Sequence, residues 1–216
     1  MNMIKALTCE FIGTFFLVAV VVGSGIMGKN LSNGNDGVAL LANTIATGSI
    51  LFVLIKAFSE FSGAHFNPIV SLVLFFSKKL SQKELIFYIL CQVIGGFVGV
   101  LLIHYVFNLE IIQISSNIRG QERMLVSEII ATFGLIMTIL FVSQNSPKDV
   151  AIAVALFISA GYWFTSSTAF ANPAVTIARV FTDTFTGIHP KSVTYFIIGQ
   201  VTGGILALVF FKKIQS

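Results

Sequence analysis

Six apolar stretches, each close to the length that crosses lipid as a helix, constrain this chain more than any other feature. They run from Phe11 to Met27, Val38 to Phe58, Leu85 to Phe107, Leu125 to Val142, Val150 to Phe170 and Val193 to Phe211. A spanning helix needs about 20 predominantly apolar residues, and in a chain of 216 residues these six leave little for a soluble domain. Composition agrees: 10% of residues are charged and 56% hydrophobic, whereas a soluble domain is roughly a quarter charged. The first stretch follows Lys5 but shows no short apolar core ending in a small-residue cleavage site, so it reads as helix one and not as a secretory leader.

Basic residues near the membrane set the orientation. With the N-terminus inside, eight of them (Lys5, Lys56, Lys78, Lys79, Lys83, Lys148, Lys212 and Lys213) are cytoplasmic, against four outside: Lys29, Arg119, Arg123 and Lys191. The excess predicts both termini cytoplasmic, and the plasma (inner) membrane is the expected location of this multi-pass protein. A net charge of +4 reflects this asymmetry, and no basic run interleaved with aromatics points to nucleic acid as a partner. Two cysteines, Cys9 and Cys91, are too few for a disulfide framework or a metal site and read as small core residues. No cofactor is expected.

The chain repeats itself. Cys9-Glu10-Phe11-Ile12-Gly13-Thr14-Phe15 in helix one is answered by Ser127-Glu128-Ile129-Ile130-Ala131-Thr132-Phe133 in helix four. Asn67-Pro68-Ile69 is answered by Asn172-Pro173-Ala174, and Gln92-Val93-Ile94-Gly95-Gly96 by Gln200-Val201-Thr202-Gly203-Gly204. Each half holds three spanning helices, an odd number, so the second half begins on the opposite face and the repeats, approximately 1–108 and 122–216 of a single domain 1–216, are inverted. In such folds the functional site lies at the midplane, where broken helices meet. The glycine runs Gly95-Gly96 with Gly99, and Gly203-Gly204 with Ala207, suit close helix contacts in lipid.

The Asn-Pro segments are the broken helices. From Pro68 to Phe76 a helix spans about 14 Å at 1.5 Å per residue, roughly half of a hydrocarbon core of about 30 Å. Pro173 to Phe181 is equally short, so two half-helices from opposite faces together complete one crossing. Proline suits a first helical turn and asparagine the cap before it, so both half-helices begin at mid-membrane. Irregular backbone at that depth is tolerated only inside protein or along a wet cavity, which assigns 62–66 and 167–171 to a pore wall.

At this point the residues resemble the aquaporin, or major intrinsic protein, family. Ser62-Gly63-Ala64-His65-Phe66-Asn67-Pro68 is similar to its first signature and Ala171-Asn172-Pro173-Ala174 to its second, and the likeness covers nearly the whole chain. The resemblance implies an all-α integral membrane fold with six transmembrane helices and two re-entrant half-helices, usually tetrameric. It also implies passive conduction of water and small neutral solutes. Asn67 and Asn172 would offer amide N–H groups to a passing oxygen, while the two half-helix N-termini repel cations. Glu10 and Glu128, otherwise suspect as a proton relay inside lipid, would accept hydrogen bonds from the re-entrant loops, and His65 would satisfy loop carbonyls. His104 and His189, near helix ends, carry no signal.

Departures from the family pattern bear on the solute. Water-selective members place an arginine three residues after the second asparagine, and here that position is Val175. Carrying the other filter positions over by spacing adds Thr47, Ala160 and Ala169, which together predict a wide filter free of arginine. Two readings of Arg179 stand open: a displaced filter arginine one turn outward of Val175, or an ion pair with Asp183 at the vestibule. Ile69 stands where the first motif usually has alanine, and its extra methylenes put the pore width at the motif in doubt. The run from Asn172 to Arg179, with Phe181 to Phe185, resembles a bacterial subgroup associated with arsenicals, which implies passage of glycerol-like solutes and of neutral hydroxides such as arsenite. A water-selective pore is the alternative. An ion-coupled transporter would need charges that couple ions, for which Glu10 and Glu128 are the candidates, and an enzyme finds no constellation here.

Overall fold

In a computed structural model that describes residues 3–120 and 122–215, the described residues are helical with no strand. Eight α-helices follow in chain order: α1 (Met3–Leu31), α2 (Asp36–Ser62), α3 (Pro68–Phe76), α4 (Gln82–Val106), α5 (Glu122–Asn145), α6 (Val150–Phe164), α7 (Pro173–Ala178) and α8 (Pro190–Gln215). Six of the described helices are long and apolar enough to cross a membrane: α1, α2, α4, α5, α8, and α6 together with the 3-10 turn Pro147–Asp149 that leads into it. The short α3 and α7 do not cross.

Local sequence explains most boundaries. Asn35 starts α2 by accepting the N–H groups of Gly37 and Val38. Ser81 and Glu84 start α4 with reciprocal side-chain bonds that satisfy otherwise orphaned donors. Gly63, at φ 83°, ends α2 in the left-handed region. The fifth apolar stretch, expected to run to Phe170, stops as a helix at Phe164. Thr165 Oγ1 donates to the carbonyl of Gly161 at 2.7 Å and accepts from the N–H of Ala169 at 2.8 Å, so the hydroxyl takes over a backbone bond and bends the chain.

The helices pair in a matching way, α1 against α4 and α5 against α8, with α2 on α1 and α6 on both α2 and α5. Glycine sets the closeness of the first two crossings. A Cβ on Gly95 would stand 2.4 Å from the carbonyl oxygen of Phe11, and one on Gly203 would stand 2.5 Å from that of Ile129. Backbone-to-backbone approach of this kind holds helices together in lipid, where apolar surface alone supplies no drive. Large apolar side chains such as Ile45, Val53, Leu90, Leu156, Trp163 and Val209 are exposed on the outer surface, and Val18, Val22, Phe66, Ala131 and Ala155 are buried at the centre. The centre encloses a lumen.

Candidate functional site

Asn67 and Asn172 each make the same two contacts. Through Oδ1, Asn67 accepts the N–H of Ile69 at 2.9 Å and Asn172 accepts that of Ala174 at 3.0 Å, which caps α3 and α7. Through Nδ2, Asn67 donates to the carbonyl of Ala171 at 2.7 Å and Asn172 to that of Phe66 at 2.8 Å. Each side chain thus ties the start of its own half-helix to the loop before the other one. One amide hydrogen of each is used in this way, and both residues line the lumen.

The two loops are held in a costly shape. Ala64, Phe66, Ala169 and Ala171 all have positive φ, between 46° and 52°, a region that costs a non-glycine residue on the order of 1–3 kcal/mol. They occupy equivalent places, one and three residues before each asparagine. Buried carboxylates hold them there: Glu10 accepts from the backbone of His65 at 2.9 Å and Phe66 at 2.7 Å, and from the hydroxyl of Ser62 at 2.7 Å. Glu128 accepts from the backbone of Phe170 at 3.0 Å and Ala171 at 2.8 Å. Gln92 Nε2 then bridges Glu10 and Ser71, and Gln200 Nε2 bridges Glu128 and Thr176. The repeated glutamines were visible in the sequence, but their part in holding the loops was missed.

The lumen, of ≈ 120 Å³, runs between these loops and an apolar wall that includes Leu17, Val21, Leu51, Leu135, Ile139 and Val154. At one end of it Thr47 Oγ1 and Tyr162 Oη are hydrogen-bonded at 3.1 Å beside Ala169, Phe170, Val175 and Arg179. Arg179 is 3% exposed, with its guanidinium carbon 3.4 Å from the centroid of Phe170 and Nε donating to the carbonyl of Thr186.

Comparison with known proteins agrees with this arrangement. Residues 1–150 match the family described as Major intrinsic protein. The chain is 44% identical over 211 residues to Aquaglyceroporin AqpS of Rhizobium meliloti (strain 1021), which covers 98% of this chain and 90% of that one. The chain belongs to the major intrinsic protein family. It is also 27% identical to Probable aquaporin TIP2-2 of Oryza sativa subsp. japonica, over 98% of this chain and 87% of that one. The X-ray structure of the aquaglyceroporin from Plasmodium falciparum shares its fold, with a TM-score of 0.80 at 23% identity over 99% of this chain and 97% of that one. Members of the major intrinsic protein family are channels, and this one is a multi-pass membrane channel, not an enzyme.

Several positions inferred from the family pattern need correction. Ala160 is exposed on the outer face of α6 and does not line the lumen. Ile158 and Tyr162 line it instead, and a Cβ on Gly161 would stand 2.6 Å from that of Ala169. Counting back from Asn172 misplaced the position because the count crosses residues 165–171, which are not helical and so fix no helical phase. The expected absence of arginine does not hold for the lumen, since Arg179 joins Thr47, Ala169 and Val175 on it. α7 continues as a 3-10 turn from Arg179 to Phe181, which keeps the arginine one turn outward of Val175. Arg179 makes no pair with Asp183, whose carboxylate accepts the N–H and hydroxyl of Ser116, each at 2.8 Å, and is held below the usual carboxylate range by those bonds.

Ile69 is 2% exposed and lies away from the lumen, packed over the bare Cα of Gly204 in α8. The glycine makes room for the side chain, so the expected disturbance of the pore has no structural basis. His65 lines the lumen with Nδ1 3.0 Å from Ser71 Oγ and its ring against Tyr88, bonding a hydroxyl and not the loop carbonyls expected. His104, which carried no signal, is fully buried and joins Thr182 Oγ1 at 2.8 Å to the carbonyl of Ile111 at 2.9 Å. Among the described residues no cluster of side chains is arranged to hold a metal ion.

Proposed function

We propose that the lumen conducts water and small uncharged hydroxylated solutes downhill, glycerol and neutral triols such as arsenite among them. The observation that carries this reading is the division of the lumen into an apolar wall and a polar strip. Along the strip, Asn67 and Asn172 each keep one amide hydrogen for a passing oxygen. A solute with hydroxyls on one side and carbon or a heavy atom on the other fits both surfaces. The N-termini of α3 and α7 meet at the same depth and place partial positive charge there, which opposes cations. Two relatives are named aquaglyceroporins, which supports glycerol as a solute here.

Passive flux fits the buried acids better than ion coupling does. Glu10 and Glu128 are each occupied by backbone donors of a re-entrant loop and a glutamine amide, and so serve as loop supports. The matched contacts of the two halves support an inverted repeat of 1–108 and 122–216. The distribution of lysine and arginine supports both termini being cytoplasmic, and family resemblance supports a homotetramer with one lumen per protomer. Purified protein in liposomes should release glycerol down its gradient with no ion gradient present. A strict requirement for a sodium or proton gradient would replace the channel reading with a coupled transporter.

A further inference from the structure

Outside the lumen, a vestibule is lined by Asp36, Asn43, Asn117, Arg119, Arg179 and Thr186 among others. Two of these are guanidinium groups that share one aromatic ring: the carbon of Arg119 lies 5.1 Å and that of Arg179 3.4 Å from the centroid of Phe170. Each is fixed by backbone carbonyls. Arg119 donates to Gly187 at 2.9 Å and Phe185 at 3.3 Å, and Arg179 donates through Nε to Thr186.

Neither has a carboxylate partner among the described residues. The nearby acids have other partners: Asp36, on the vestibule wall itself, pairs with Lys29, Asp183 holds Ser116, and Glu128 holds Phe170, Ala171 and Gln200. Among the described residues, both terminal nitrogens of Arg179 and one of Arg119 have no hydrogen-bond acceptor. The carboxylate on this wall, Asp36, is paired with Lys29 and with neither arginine, so the two guanidinium groups repel each other and an anion between them removes that repulsion.

We propose that the vestibule binds a small soluble oxyanion through the Arg179 fork and Arg119, and that the bound anion obstructs neutral solutes at the mouth. The planar guanidinium fork matches two oxygens of a sulfate, phosphate or carboxylate. Below Thr47 and Tyr162 one side of the lumen is apolar, with Leu17, Val21, Leu51, Leu135 and Val154, and among the described residues no guanidinium group lies there, so a doubly charged anion meets a desolvation cost and stops at the mouth. External oxyanions then act as reversible inhibitors of the channel.

The test uses sulfate, which keeps its double charge over the working pH range. Glycerol efflux from proteoliposomes is followed with sulfate outside, against chloride at matched ionic strength and osmolarity. With two charge-assisted contacts in a hydrated mouth, about a two-fold loss of flux is expected at roughly 10 mM external sulfate. Arg119→Gln, outside the lumen, should keep the flux and lose the inhibition, and Arg119→Lys, which keeps the charge without the fork, should weaken it. Sulfate should also raise the melting temperature of the detergent-solubilised wild type more than chloride does, a readout independent of conduction and of the folding of any variant. Sulfate indistinguishable from chloride in melting, or inhibition unchanged in both Arg119 variants, overturns the proposal.

Discussion

The backbone N–H of Phe66 donates to the carboxylate of Glu10 at 2.7 Å, across the interface between α1 and the first re-entrant loop. Phe66 has φ 48°, and Ala171, at φ 47°, is held by Glu128 in the same way. Glu10→Gln or Glu128→Gln puts an amide donor against a backbone donor in a fully buried site. A loss of about 2–3 kcal/mol is expected for each, read as a lower melting temperature in detergent together with reduced flux per channel. Unchanged melting in both variants would show that the loops keep their shape without the carboxylates.

Ile69 and Gly204 form a second pair whose terms depend on each other. A methyl group on Gly204 would stand 2.4 Å from Ile69 Cγ2, so Gly204→Ala alone should cost about 1–3 kcal/mol through overpacking. Ile69→Ala alone should cost about 2–4 kcal/mol through the space left behind. Combined, the new methyl fills part of that space, and the double variant should be more stable than the sum predicts. Additive losses would mean that the two side chains do not share a contact.

Asp183 ties the loop at Ser116 to the outer mouth and does not touch Arg179. Asp183→Ala should therefore quicken amide exchange at Ser116 while leaving glycerol flux near that of wild type. Because its two bonds depress the folded pKa, the tether is intact above the ordinary aspartate value of about 4 and is lost as pH falls through the lower folded value. Hydrogen exchange across that range checks the sign: protection at Ser116 should fall with acidification in wild type and stay low throughout in Asp183→Ala.

Removing the guanidinium of Arg179 takes away both its stacking on Phe170 and its charge at the mouth. Arg179→Ala should admit larger neutral polyols, measurable as erythritol flux that is low in wild type. An unchanged preference between glycerol and erythritol would place the size limit elsewhere in the lumen.

What was legible in the sequence came from local signals and from repetition. Asn67 and Asn172 announced half-helices because an asparagine cap followed by proline is a local instruction, and α3 spans the expected residues. Glu10 and Glu128 stood out because an acid inside an apolar stretch occurs twice in register. Positions that depend on distant partners were less legible. Ala160 was placed by counting across residues 165–171, which are not helical and so fix no helical phase. Helical phase put Arg179 beside Val175, yet only the fold shows that the carbonyl of Thr186 and the ring of Phe170 hold it in place of Asp183. Ile69 looked oversized until Gly204, far along the chain, was seen to receive it.

The central claim is that solutes pass between Asn67 and Asn172 and out past Thr47, Val175 and Arg179. Stopped-flow volume changes of proteoliposomes under water, glycerol and arsenite gradients test it directly when wild type is compared with Val175→Arg. Wild type should pass all three, and Val175→Arg should keep water flux while losing glycerol and arsenite flux by at least about tenfold, an added barrier of ~1.4 kcal/mol. Glycerol flux that is equal in the two proteins, or no faster than in empty liposomes, would contradict the account.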